Sequence, residues 1–246
     1  MADEALVRAW GEQQAALRER REEADRVDFE GGGGLAGLER VAGLDISYPR
    51  GVEDRAAVAL VVLAFPSLRV LHEVCLDVAI AVPYRAGFLA FREIEAYRQA
   101  FAALRRERPD LEPQAVLVDG NGTLHPRRFG SACHVGVDLD VPTVGVGKNL
   151  LHLDDVPGID AHSVKEAFRA GARELELVGA SGLSYGMAVA PPASGAVNPV
   201  FVSPGHRVSL RTAVALVRAC STHRVPEPIR AADQLSRTRA RALEHA

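Results

Sequence analysis

The chain has 246 residues, of which 48% are hydrophobic and 25% charged, and a formal net charge of -3. This composition fits a globular protein with one large α/β core or two small ones. The charge excludes a generally basic nucleic-acid binder but not a local basic groove, since Arg127, Arg128, Lys148, His206 and Arg207 all sit near turn signals. Cys75, Cys133 and Cys220 are few, odd in number and lack the Cys-x-x-Cys spacing of zinc or redox sites, which points to a reducing compartment. The start carries Asp3 and Glu4 with no signal-peptide core, and the longest apolar run, Ala56 to Phe65, is too short to span a bilayer. A soluble, cytoplasmic protein is expected, with nucleus or nucleolus as alternatives in a eukaryote.

In chain order, residues 3–26 read as an amphipathic helix with Leu6, Trp10 and Leu17 at helical spacing, followed by a flexible joint at Gly31 to Gly34. Residues 1–34 are therefore set apart from a single domain over 35–246. Strands are expected at about 40–48, 56–65 and 69–81, the last two joined around Pro66-Ser67 as an antiparallel meander. A helix over 91–107 carries the stripe Ile94, Tyr97, Phe101 and Leu104 and ends before Pro109. The run Val116-Leu117-Val118 reads as a buried strand stopping on Asp119, followed by a short helix near 127–137 and a strand at Thr143 to Val146 that leads to Lys148. Residues 173–202 supply two or three strands, and helices at 209–221 and 228–243 close the chain.

Three carboxylates stand out. Asp119 ends a strand and precedes Gly120-Asn121-Gly122-Thr123-Leu124-His125-Pro126-Arg127-Arg128, a segment that turns tightly while supplying His and Arg. In open α/β sheets, ligands collect beyond the carboxyl ends of such strands. Asp45 interrupts Val41 to Tyr48 on the face opposite Leu44 and Ile46, and aspartate is depleted inside strands. Glu93 opens the helix after Phe88. Each has a structural alternative: the Asn121-Gly122 pair is a strong hairpin signal, and a carboxylate in a first helical turn is favoured by the dipole alone. Together, two strand aspartates and a helix glutamate suffice for Mg²⁺, which takes oxygen ligands and keeps positions open for water and phosphate.

Antiparallel strands, a helix, then parallel-type strands with acids on the first and fourth form the order of a ribonuclease H-like α/β mixed sheet flanked by helices. The segments Val41 to Ser47, Pro83-Tyr84 with Gly87 to Glu93, Val118 to Gly122 with His125-Pro126-Arg127, Pro142 to Lys148, and Val202 to His206 resemble the motif series of the endonuclease V family over about residues 40–237. The resemblance implies a Mg²⁺-dependent endonuclease, with Mn²⁺ as a substitute. Such an enzyme recognises hypoxanthine, as inosine in single-stranded RNA or deoxyinosine in DNA, and cuts the second phosphodiester bond on its 3′ side, leaving 3′-hydroxyl and 5′-phosphate ends. It implies Asp45, Glu93 and Asp119 as metal ligands, Lys148 near the scissile phosphate, and Asp233 as a further acid near the metal. It also implies Pro83 and Tyr84 as a wedge filling the gap left by the extracted base, with Gly87, Gly120, Asn121, Gly122 and His125 at the base pocket. A monomer is expected.

The wedge departs from the family pattern in Arg85 and Ala86, while Asn121 and Pro226-Glu227-Pro228 lean toward members that prefer RNA. Two other classes are legible. Gly182-Leu183-Ser184-Tyr185-Gly186 fits a serine-hydrolase elbow, with Asp233 and His245 as the only partners in the usual order, but Pro191-Pro192 leaves no room for the helix that should follow. A non-catalytic inosine-binding module is the other. Gly145 to Asn149 resembles a phosphate loop only superficially, having neither the first glycine nor Ser or Thr after Lys148.

Overall fold

The computed structural model describes residues 2–153, 160–192 and 198–244. Strands β1 (Arg40–Ser47), β2 (Arg55–Ala64) and β3 (Val70–Ala79) form the antiparallel meander. β4 (Ala115–Asp119) and β5 (Thr143–Gly147) run parallel to β1, and β6 (Glu174–Val178), β7 (Ser184–Val189) and β8 (Val200–His206) add antiparallel strands beyond β5. The result is one eight-stranded mixed sheet in the order β3-β2-β1-β4-β5-β8-β7-β6.

Helices α1 (Ala2–Glu19), α2 (Leu89–Glu107), α3 (Ser131–Leu139), α4 (Ala161–Arg169), α5 (Leu210–Ala219) and α6 (Glu227–Leu243) flank it. Alternation along the strands divides the core. Ala42, Leu44, Val116 and Val118 pack on one side with Ile94, Tyr97, Phe101 and Leu104 of α2, whereas Val41, Leu117, Val144 and Val146 pack on the other with Val214 and Val217 of α5 and Ile229 of α6. Asp45 and Asp119 share parity with Val41 and Leu117, so both belong to the α6 side of the sheet.

The close approach of α6 depends on Gly43, two residues from Asp45 on the same face. A Cβ there would lie 1.8 Å from the Pro228 carbonyl oxygen, so only glycine lets the first turn of α6 rest on β1. That contact carries the next turns of α6 across the end of β1.

Several expected bounds shift. The N-terminal helix ends at Glu19, short of 26, because residues 20–26 offer almost no apolar stripe and pair instead with the end of β8: Glu22 N donates to His206 Nδ1 at 3.1 Å and Arg207 N to Glu22 O at 2.9 Å. The glycine run is held to its surroundings, Gly32 N donating to Asp25 Oδ2 at 2.8 Å and Gly33 N to Thr212 Oγ1 at 3.1 Å. The helix expected near 127–137 lies at Ser131–Leu139. Helix α4 has a faint pattern in the sequence, being short and burying only Val164 and Phe168, and its one clear signal is the capping box of Asp160 and Ser163. Among the described residues no helix is long and apolar enough to cross a membrane.

Candidate active site

The carboxyl ends of β4 and β5, the end of β1 and the second turn of α6 meet at one point. Asp45, Asp119 and Asp233 each bring a carboxylate oxygen to within 4.8 Å of the others. Lys148, just past β5, donates to Asp119 Oδ2 at 2.5 Å and to Asp233 Oδ1 at 3.1 Å. Burial works against its charge, but these two carboxylates outweigh it and hold the ammonium above its ordinary range. Arg237 donates to the same Asp233 oxygen at 2.6 Å. Asp45 is 6% exposed and takes a hydrogen bond from Ser236 at 2.5 Å. Burial and repulsion from Asp119 and Asp233 push its pKa up to about 7 against the stabilising Ser236 hydroxyl.

Glu93 is placed differently from the three aspartates. It is buried on the α2 side, where Tyr48 donates to one carboxylate oxygen at 3.2 Å and Tyr97 to the other at 3.0 Å. Burial lifts its pKa to about 7, the two tyrosine hydroxyls oppose that, and the charge of Asp45 adds to it. It thus stands electrostatically behind Asp45 rather than within the tight group.

A donor set made only of carboxylates, with one member buried and crowded enough that its pKa is raised, and facing a lysine, is chemically suited to a hard divalent cation.

Beside the cluster lies a cavity of about 350 Å³, lined by Gly87, Leu89, Asn121, His125, Phe129 and Leu151 among others. The segment from Asp119 to Ser131 therefore serves both features, its first residue in the acid cluster and its middle in the cavity wall. Gly87 has φ +78, a conformation that favours glycine. His125 is buried: desolvation and the Arg127 charge lower its pKa to about 4 against a hydrogen bond with Gly87, leaving the imidazole neutral at pH 7. Gly122 faces β8, where its N–H donates to Ser203 Oγ at 2.9 Å and a Cβ would meet the Pro204 carbonyl oxygen at 2.1 Å. Gly120 makes the turn after β4, its N–H reaching Val146 O at 3.3 Å. Pro83 and Tyr84 sit on the loop before α2, and Tyr84 is 58% exposed.

The basic residues do not form one groove. Lys148 joins the acids and Arg127 the cavity wall, whereas Arg128 donates to Ser184 O at 2.7 Å. His206 and Arg207 lie at the opposite end of the sheet, where His206 pairs in register with Thr143 at the start of β5. The hydrolase reading also fails on placement. Ser184 begins β7 in a hairpin with β6, no helix follows it, and the small cavity it lines contains no histidine among the described residues. Asp233 is engaged with Lys148 and Arg237, and His245 lies outside the described residues. The sequence placed Ser47 on the face of Asp45, and Ser47 Oγ lies 3.4 Å from Asp45 Oδ2, but it did not reveal Ser236 beside Asp45 or Tyr48 and Tyr97 on Glu93. The three-residue spacing from Asp233 to Ser236, one helical turn, was the available signal.

A ribonuclease H-like sheet with clustered aspartates at the carboxyl ends of its central strands defines the class: a metal-dependent nuclease. The comparisons agree. Residues 21–234 match the family model described as Endonuclease V. The chain is 40% identical to Endonuclease V of Homo sapiens over 97% of its length and 84% of the relative's, and 41% identical to that of Mus musculus over 95% and 69%. The catalytic domain of human Endonuclease V superposes with a TM-score of 0.90 at 39% identity, covering 98% of both chains. A point variant of Ciona intestinalis Endonuclease V, in complex with a 23mer DNA containing an inosine followed by a ribo-adenosine, superposes at 0.91 with 33% identity, covering 98% of this chain and 99% of that one. The chain belongs to the endonuclease V family, and it is an endonuclease.

Proposed function

We propose that this endonuclease recognises hypoxanthine in a polynucleotide and, with Mg²⁺, hydrolyses the second phosphodiester bond on its 3′ side, leaving 3′-hydroxyl and 5′-phosphate ends. The observation that carries the proposal is the adjacency of the aspartate cluster and the cavity, both built on the Asp119 to Ser131 segment. The cavity volume of about 350 Å³ admits an extruded base. The inosine-containing DNA held by the Ciona relative supports the choice of base.

In this proposal Asp45, Asp119 and Asp233 hold the ion and Glu93 stands behind them as a fourth acid. Bound there, Mg²⁺ supplies Lewis-acid stabilisation of charge on the phosphate and acidifies water at neutral pH; Mn²⁺ substitutes. Lys148, held beside Asp119 and Asp233, would offer its ammonium to the developing negative charge on the phosphate. Neutral His125, Gly87 and Asn121 meet the base edge, Gly120 and Gly122 hold the turn that carries them, and exposed Pro83 and Tyr84 occupy the gap the base leaves. Asn121 and Pro226-Glu227-Pro228 favour RNA over DNA as substrate.

The test uses matched single-stranded RNA and DNA oligonucleotides carrying inosine or adenosine at one position, incubated with Mg²⁺ or with chelator. Metal-dependent cutting one nucleotide beyond inosine supports the proposal, and the faster strand names the substrate. Equal cutting of the inosine and adenosine strands contradicts it.

A further inference from the structure

Most of the cavity wall comes from two separate stretches of chain, Ala86 to Ala90 leading into α2 and Asn121 to Ser131 leading into α3, with Leu151 beyond β5 adding to it. Helix α1 supplies the residue that joins the two stretches. Gln14 is 3% exposed. Its Nε2 donates to the Phe129 carbonyl oxygen at 2.8 Å on one wall and to the Gly87 carbonyl oxygen at 3.4 Å on the other. Its Oε1 accepts from Arg127 Nε. Arg127 donates in turn to Gly87 O at 2.6 Å, and its guanidinium lies 4.1 Å from the centre of the Phe88 ring.

Both ends of the Gln14 amide are thus used, which is what a buried amide needs to escape its desolvation cost. The helix that carries it is anchored by Trp10, whose ring stacks on Phe91 at 5.3 Å and tilts against Phe88 at 5.8 Å. Gly87, at φ +78, has no side chain of its own to fix it. The hydrogen bonds converging on its carbonyl from Gln14 and Arg127 do that instead.

We propose that Gln14 is a positioning residue for base recognition: α1 staples the two walls of the cavity at a fixed width, and so sets the preference for hypoxanthine over adenine. The proposal rests on the hypoxanthine reading above. A pocket that discriminates by hydrogen bonds to a keto or an amino group loses selectivity when its donors and acceptors can drift, because the wrong base is then no longer left facing an unpaired group. Gln14 touches no reacting atom, so its loss falls on binding and selectivity rather than on the chemical step.

The experiment compares wild type with Gln14→Met, which keeps the volume and removes every hydrogen bond, on the inosine and adenosine forms of the strand the wild type cuts. Trp10 is the only tryptophan, so its emission reports whether α1 stays docked. The expected result is a KM for the inosine strand raised about tenfold, the part of the three lost hydrogen bonds that is felt by the bound base. The inosine-to-adenosine preference should fall by a similar factor, with kcat and Trp10 emission little changed. Unchanged KM and preference, or a loss confined to kcat, overturns the proposal. Should emission show α1 released, Gln14→Glu carries the same test: it keeps the acceptor for Arg127 and loses the donor to Phe129, and a wild-type KM there overturns the proposal. A wild type that does not prefer inosine would instead contradict the proposed function, independently of any effect of Gln14.

Discussion

Ser236 on α6 donates a hydrogen bond to Asp45 on β1 across 2.5 Å, and its oxygen lies 2.9 Å from that of Ser47. The hydroxyl stabilises the ionised form of a carboxyl that burial pushes toward neutrality. Ser236→Ala should therefore raise the Asp45 pKa further and weaken metal binding by about tenfold, the scale of losses from groups that orient metal ligands. The deficit should be larger at about pH 6 than at about pH 8, since protonation competes with the metal on the acid side. Metal titration at the two pH values checks this, and wild-type affinity at both contradicts it.

Asp45 and Glu93 should make the metal-free protein less stable as pH rises, against the opposite contribution of His125 and His134, whose pKa values burial lowers to about 4. Asp45 and Glu93 have pKa values of about 7 in the folded chain against 3.8 and 4.5 as ordinary carboxyls. At these two carboxyls the folded state binds more protons than the unfolded one between those limits, so their contribution to the slope of stability with pH is negative there. The stabilisation is full below about 4 and is gone above about 7. Added Mg²⁺ should raise Tm more at about pH 8 than at about pH 6, because below the folded pKa values the metal must displace protons. Thermal melts with and without the ion measure this. An equal shift at both pH values would mean that the acids are already ionised without metal.

Gly43→Ala puts a methyl group where the Pro228 carbonyl oxygen lies 1.8 Å away. The methyl is fixed to β1 and the oxygen belongs to the packed backbone of α6, so α6 must shift. A stability loss of about 1–3 kcal/mol is expected from overpacking. Activity should fall further than stability alone explains, because Asp233 and Ser236 ride on the displaced helix. Denaturant unfolding together with kcat measures the two losses, and an unaltered kcat in the folded variant would separate α6 placement from catalysis.

Tyr84→Ala should leave stability within about 0.5 kcal/mol, as expected of an exposed side chain. If Tyr84 fills the gap left by an extracted base, the variant should lose more activity on a duplex than on a single strand, where no stack needs support. Equal losses on both would remove the wedge role.

What was legible in the sequence is local. Asp119 announced itself by ending an apolar run, Asp45 by interrupting one, and the stripe Ile94, Tyr97, Phe101 and Leu104 by its period; all four stripe residues are buried against the sheet. The resemblance brought Asp233 near the metal, but its closeness to Asp45 and Asp119 depends on α6 crossing β1 at Gly43, a contact between segments far apart in the chain that no spacing expresses. Glu93 read as an equal of the aspartates, yet Tyr48 and Tyr97 occupy both its oxygens, and only the helical step from Glu93 to Tyr97 was visible in the chain. His206 and Arg207 looked available near a turn, but strand direction carries them to the far end of the sheet. The place of Gln14 in the cavity wall was hidden because its partners are carbonyl groups, which every residue has.

The most direct test of the site is Mn²⁺ titration by electron paramagnetic resonance alongside cleavage of an inosine strand, for wild type and for Asp45→Asn, Asp119→Asn and Asp233→Asn taken singly. One shared cation predicts that each substitution weakens ion binding by about tenfold or more and that cleavage falls with it, since each removes one anionic ligand from the same group. Metal affinity and cleavage unchanged in any one variant would show that its aspartate does not hold the catalytic ion.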